Sequence, residues 1–173
     1  MQPPFRVVSL KREHVDRAAQ LLAEHFFEAQ ADASKWRELL VSSLRLPRHE
    51  LAAPVDERNR LIGVASAVPF TEMVSRRHPL HNRLRVEQVP PRDTALYVNL
   101  VVDLPRRFRG VGTALVDFLD ERVSQNGFQH AVGLTQLDAV RKIMGKRRAL
   151  ELGDFEVRGK AHSAFLWSLK QDV

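Results

Sequence analysis

Cysteine is absent from the 173-residue chain, which excludes disulfides, thiolate zinc sites and cysteine nucleophiles. Aromatic residues are scarce, at 7% with a single tyrosine, and no stretch interleaves basic and aromatic side chains. No apolar run approaches the roughly 20 residues of a membrane-spanning helix. The opening segment MQPPFRVVSLKREH lacks the apolar centre of a secretory leader, and its charges follow its apolar run instead of preceding it. The expectation is a cytoplasmic protein with no membrane partner. The seven histidines are scattered, with no His-x-x-x-His pair, so no metal site is expected.

What is present is ordinary for a folded chain. Hydrophobic residues make up 44% and charged residues 28%, and this length suits one domain, residues 1–173, with one core. The formal charge is +6. A basic surface of this kind attracts small anions, phosphorylated cofactors among them. Without interleaved aromatics, a nucleic-acid partner is not expected. A homodimer is compatible with the sequence, but no residues identify an interface.

Hydrophobic periodicity divides the chain. A strand is expected at Phe5–Leu10, then a helix over 11–30 with Val15, Ala18, Ala19, Leu22 and Phe26 on one stripe. A second helix over 32–44 would place Trp36, Leu39, Leu40 and Leu44 on one side. Strands at 50–55 and 61–70 flank the polar turn Asp56–Arg60. Residues 71–93, with basic clusters at Arg76-Arg77-His78 and Arg83-x-Arg85, read as a long excursion with room for a short helix. Thr94–Val102 is nearly continuous in apolar residues and reads as a central strand buried on both faces. Helices over 111–125 and 138–152 enclose a strand at His130–Leu134. Strands at 155–158 and 164–169 close the chain. The order predicts an α/β fold, a mixed sheet with helices packed on it.

The informative stretch is Arg107-Phe108-Arg109-Gly110-Val111-Gly112-Thr113, between the best strand and the clearest helix. The first N–H groups of a helix have no internal acceptor, and the dipole there is positive. A loop that turns its amides inward makes a pyrophosphate pocket. Glycine lets the backbone approach phosphate oxygens, and Arg106, Arg107 and Arg109 add charge. A Walker loop would need Gly-Lys-Ser/Thr, which is missing. A dinucleotide fingerprint would need a third glycine where Leu115 stands.

The segment Val102–Gly112, with Arg107-x-x-Gly110-x-Gly112 between strand and helix, resembles the signature of the GNAT superfamily of N-acetyltransferases, and the element order from Phe5 to Leu169 resembles that fold. The resemblance implies acetyl-CoA as co-substrate and transfer of its acetyl group to a primary amine of a small molecule or peptide. It implies that backbone amides of Arg107, Phe108, Arg109, Gly110, Val111, Gly112 and Thr113 hold the pyrophosphate. It also implies that the main chain of Leu100, Val101 and Val102 pairs with the pantetheine arm, with one amide near Val101 or Val102 polarising the thioester carbonyl. The alternative is a non-catalytic acyl-CoA sensor or partner module of the same fold.

Proton carriers are harder to place. A lysine-like amine with pKa about 10.4 is protonated at neutral pH, so transfer commonly uses a general base. Many family members place a glutamate where this chain has Leu96, and a tyrosine where it has Ala149 or Leu150. The candidates that remain on the central strand are Tyr97 and Asn99, read as lying on one face by period two. In the excursion, Glu72, His78, His81, Glu87 and Asp93 are titratable but read more simply as solvated. Asp103 reads as a turn residue, and His25 and Glu28 as part of a solvated helix face.

Overall fold

A computed structural model of the chain describes residues 4–26, 32–103 and 110–170. Its strands are β1 (Phe5–Ser9), β2 (Glu50–Asp56), β3 (Gly63–Pro69), β4 (Thr94–Val102), β5 (His130–Thr135), β6 (Leu150–Val157) and β7 (Lys160–Ser168). Its helices are α1 (Val15–His25), α2 (Ala33–Ser43), α3 (Phe70–Met73), α4 (Pro79–Val86), α5 (Val111–Gln125) and α6 (Asp138–Lys146). The strands form one mixed sheet in the order β1-β2-β3-β4-β5-β7-β6. Among the described residues, no helix is long and apolar enough to cross a membrane. The contacts group into two compact units, Met1–Ser66 with Asn99–Leu119, and Ala67–Val98 with Asp120–Val173.

In the first unit, β1 runs antiparallel to β2, from Phe5↔Asp56 to Ser9↔Ala52. Helix α1 presents Val15, Ala18, Ala19 and Leu22 to a core completed by Trp36 and Leu40 of α2 and by Leu51, Ala53, Val64 and Val101 of the strands. The expected stripe on α1 is therefore present, with Phe26 packed against it. On α2 the expectation needs correction. Leu39 and Leu44 are 55% and 37% exposed. Trp36 and Leu40, one turn apart, set the inward line, and Leu39 lies about 100° around the helix from Leu40. The turn after β2 is organised by a side chain: the Asp56 carboxylate accepts from the backbone N–H of Arg58 and Arg60 and from the Arg60 guanidinium. Asn59 supplies the left-handed residue, with φ of 59°.

In the second unit, residues Thr94–Tyr97 of β4 run parallel to His130–Gly133 of β5. Strand β5 is antiparallel to β7, which is antiparallel to β6. The excursion between β3 and β4 is a built segment containing α3, α4 and a 3-10 turn at Pro91–Asp93. The His78 side chain accepts from the Leu80 N–H at the start of α4, and Pro79 occupies the first turn, where no donor is needed. Phe70, Leu80, Leu84 and Val89 then join Leu96, Val132 and Leu166 in one buried core.

The late helix was expected to reach Leu152. It ends at Lys146, and β6 starts at Leu150. Arg148 is left-handed with φ of 53°, which turns the chain before the apolar Leu150 and Leu152. Gly153, expected to end the helix, has φ of 103° and lies at a register shift where β6 pairs with β7. Ala149 and Leu150 therefore stand before and at the start of β6, not in a helix.

At Gly63 the backbones come too close for a side chain. A Cβ there would lie 2.6 Å from the Val101 carbonyl oxygen and 3.0 Å from Pro54. Gly63→Ala should cost about 1–3 kcal/mol by overpacking. Gly145→Ala, in α6 with nothing within 4 Å of the new methyl, should leave stability unchanged or raise it by up to about 1 kcal/mol. Urea unfolding of both variants checks this, and equal stability for the two would contradict the close approach at Gly63.

Candidate functional site

The first group of candidate residues lies at the end of β4 and the start of α5. Val101 is buried in the core, while Leu100 and Val102 are half-buried. Immediately before them, Asn99 has φ of 60°. A non-glycine residue held in the left-handed region within a strand costs of order 1–3 kcal/mol and is concentrated at functional sites. It also ends the alternation of side chains, so period two cannot be counted from Tyr97 through Asn99 as the sequence reading did. Past Val102, the Asp103 N–H donates to the Ile62 carbonyl at 2.8 Å. The Asp103 carboxylate accepts from Arg17 Nη2 of α1 at 3.0 Å. Asp103 is thus a tie between the strand end and α1 as well as a turn residue.

Arg107, Phe108 and Arg109 lie outside the described residues, as do Arg106 and Glu28. The described part of the loop begins at Gly110, with φ of 94° and, among the described residues beyond its chain neighbours, no atom within 4 Å of where a Cβ would be. That conformation is one that L side chains rarely adopt. The Ala114 N–H donates to the Gly110 carbonyl at 2.9 Å, the bond that closes the first turn of α5. The N–H groups of Val111, Gly112 and Thr113 precede that bond and have no acceptor inside the helix. Val111 is fully buried and anchors the turn, whereas Gly112 and Thr113 are half-buried. The geometry is a glycine-led helix start whose first three N–H groups have no acceptor within the helix and whose potential is positive, which suits a phosphate.

The second group centres on Tyr97, and the sequence reading missed its partners. The Tyr97 hydroxyl donates to Asp120 Oδ1 at 2.7 Å. Trp167 Nε1 donates to the same oxygen at 3.0 Å, and Arg147 Nε donates to Asp120 Oδ2 at 3.0 Å. One carboxylate on α5 thus gathers donors from β4, β7 and the turn after α6. The Tyr97 and Trp167 rings meet edge to face, with centroids 5.0 Å apart at 84°. Gly133, the partner of Tyr97 in β5, makes room for the indole: a Cβ there would already touch the Trp167 ring at 3.6 Å. The signal in the sequence was Asp120 itself. It falls on the apolar stripe of α5 beside Val116, Leu119 and Val123, and an acid on a buried stripe requires donors.

The remaining candidates have structural partners. His81 bonds the Val74 carbonyl through Nε2 at 2.9 Å and packs on Phe70. Glu87 pairs with Arg83 at 3.0 Å. His25 bonds the Leu21 carbonyl through Nδ1 at 2.9 Å. The carbonyl of Asp93 accepts from the Gln129 N–H. Glu72 is exposed on α3. Leu96, where many family members have a glutamate, is a buried core residue.

With this geometry in place, comparison identifies the class. Residues 15–143 match the acetyltransferase (GNAT) family, and the chain belongs to that family. Solved structures agree on the fold. A GNAT superfamily phosphinothricin acetyltransferase from Sinorhizobium meliloti in complex with AcCoA is 14% identical with a TM-score of 0.69, covering 94% of this chain and 86% of that one. An aminoglycoside 6'-N-acetyltransferase complexed with coenzyme A is 16% identical at 0.66, covering 96% and 98%. An N-acetyltransferase from Staphylococcus aureus Mu50 is 14% identical at 0.69, covering 96% and 99%. Among curated proteins, none matches this sequence.

Tyr97 offers a direct test of the polar cluster, because it is the only tyrosine. Burial raises its pKa well above the ordinary 10.0, and the Asp120 charge and hydrogen bond raise it further. Below pH about 10 the phenol is protonated in folded and unfolded chains alike, and this contribution to stability is complete. As pH rises beyond that, the unfolded chain releases the proton first, so stability is lost toward alkaline pH. Phenolate absorbance should appear only together with loss of secondary structure in an alkaline titration. Asp120→Asn should move phenol ionisation to lower pH in a chain that is still folded. A phenolate signal near pH 10 from the intact native protein would contradict the cluster.

Proposed function

We propose that the chain is an N-acetyltransferase that takes acetyl-CoA and moves the acetyl group to a primary amine by direct attack on the thioester. The observation that carries this reading is the glycine-led start of α5, whose first three N–H groups have no acceptor within the helix, following a strand that holds a left-handed Asn99, in a chain of the GNAT family. Two of the structural neighbours hold acetyl-CoA or coenzyme A, and the donors at Gly110–Thr113 fit the pyrophosphate such a molecule carries.

In the reaction, the amine nitrogen forms a bond to the acetyl carbonyl carbon and the carbon–sulfur bond breaks. The nitrogen loses a proton and the departing thiolate gains one, giving an amide and free thiol. The chain's part in this is positioning and charge stabilisation. Main-chain groups of Leu100, Val101 and Val102 pair with the pantetheine arm, and one amide near Val101 or Val102 faces the thioester oxygen as negative charge develops there. Backbone amides from Arg107 to Thr113 hold the pyrophosphate, and Arg107 and Arg109 add charge to it. Asn99, fixed in a strained conformation, orients substrate or water. The Tyr97 hydroxyl already donates its hydrogen bond to Asp120, so donation to a leaving sulfur would require it to exchange that bond.

One feature favours the second reading, an acyl-CoA-binding module without turnover. The positions matched to the family's usual glutamate and tyrosine hold Leu96 and either Ala149 or Leu150. Calorimetric titration with acetyl-CoA, beside a variant carrying Gly110→Val and Gly112→Val, tests the binding. The wild type should bind in the micromolar range, and the variant should lose roughly a hundredfold or more, equivalent to about two hydrogen bonds to a charged group. Thiol release in the presence of an amine panel then separates enzyme from sensor. Absence of acetyl-CoA binding by folded wild-type protein overturns both readings.

A further inference from the structure

The excursion between β3 and β4 builds a groove that the acetyl-transfer chemistry does not use. It has a volume of about 630 Å³ and is lined by Thr71, Arg76, His81, Asn82, Arg85 and Arg92, among others, with no aspartate or glutamate in the lining. It is a largely open groove with room for a small molecule. Its walls are rigid for identifiable reasons. Phe70, Leu80 and Leu84 of the same segment are fully buried, and Val89 both lines the groove and joins their core. Pro90 and Pro91 lie along one side and fix the backbone there. His81 is held by its bond to the Val74 carbonyl and by the Phe70 ring.

The charges on this segment are sorted. Arg83 of α4 pairs with Glu87 and is not part of the lining. Arg85, two residues along, lines the groove and gives one N–H to Asn82. That bond fixes the guanidinium across one turn of α4 and leaves most of its five donors available. Arg76 and Arg92 also line the groove, are exposed, and have no side-chain hydrogen bond or ion pair among the described residues. Three guanidinium groups line the groove, and no aspartate or glutamate is among the described residues of its lining. Each is suited to bidentate recognition of a carboxylate or phosphate, with the Thr71 hydroxyl and the Asn82 amide as neutral partners.

We propose that this groove is an anion-binding subsite that takes a small molecule bearing carboxylate or phosphate groups.

Direct titration tests the subsite. Tricarballylate serves as the carboxylate probe and inorganic pyrophosphate as the phosphate probe. The proteins are the wild type, Arg76→Ala/Arg85→Ala/Arg92→Ala, the same three positions changed to lysine, and the Gly110→Val/Gly112→Val variant. At least one probe should bind the wild type and the glycine variant alike, weaken with added salt, and lose roughly ten- to a hundredfold in affinity in the triple alanine variant. The lysine variant keeps the charge but loses the fork geometry, and should fall between. The single change Arg92→Ala, at an exposed side chain with no partner, gives the same direction if the triple variant folds poorly. Neither probe binding the wild type, or equal affinity in wild type and alanine variants, overturns the subsite.

Acetyl-CoA affinity is measured on the same proteins, and it should survive the arginine changes and fail only in the glycine variant. Loss of the cofactor reading and loss of the groove are therefore separate results.

Discussion

A backbone N–H that is denied a partner by helix geometry must find one elsewhere, and this requirement at the start of α5 organises the candidate site. Helix geometry supplies the donors, and Gly110 takes the left-handed conformation that leads into them. The turn is held from behind by Val111, which is fully buried, and the preceding strand is fastened by Asp103 to Ile62 through the backbone and to Arg17 through its side chain. Gly63 allows the close approach that brings β3 against the Val101 carbonyl. The surrounding packing fixes these donors in place, and fixed donors cost little to reorganise when charge arrives.

A second set of constraints surrounds Asp120. Burying a carboxylate is unfavourable unless its oxygens accept hydrogen bonds, and here Tyr97, Trp167 and Arg147 supply three. The arrangement binds β4, α5, β7 and the turn after α6 into one unit around a single charge. It also keeps the Tyr97 phenol protonated, since both burial and the adjacent carboxylate oppose its ionisation.

Much of this could be read from the residues. Strand β4 and helix α5 were legible because their patterns are long and unambiguous, and their junction holds the glycines. The inward stripe of α1 was legible for the same reason. The second helix was read too broadly, because Leu39 and Leu44 look like core residues in a sequence while only Trp36 and Leu40 share the inward line. The late helix was extended through Ala149–Leu152 because Gly153 looks like a helix stop; the actual stop is at the left-handed Arg148, a conformation that arginine does not announce. The Asn99 interruption is equally silent, since asparagine tolerates left-handed geometry without requiring it. The Asp120 cluster joins residues as distant in sequence as Tyr97 and Trp167, and a pairing of that range has no local pattern. The groove was visible only as scattered arginines, because its shape depends on where the excursion folds.

The central claim is that acetyl-CoA is held by the end of β4 and the first turn of α5. An amide-resolved NMR titration with acetyl-CoA tests it most directly. The account predicts the largest shifts at the amides of Leu100 to Val102 and Gly110 to Thr113, with slowed hydrogen exchange at the same positions once the protein is saturated. Saturable binding that leaves those amides unchanged would contradict it.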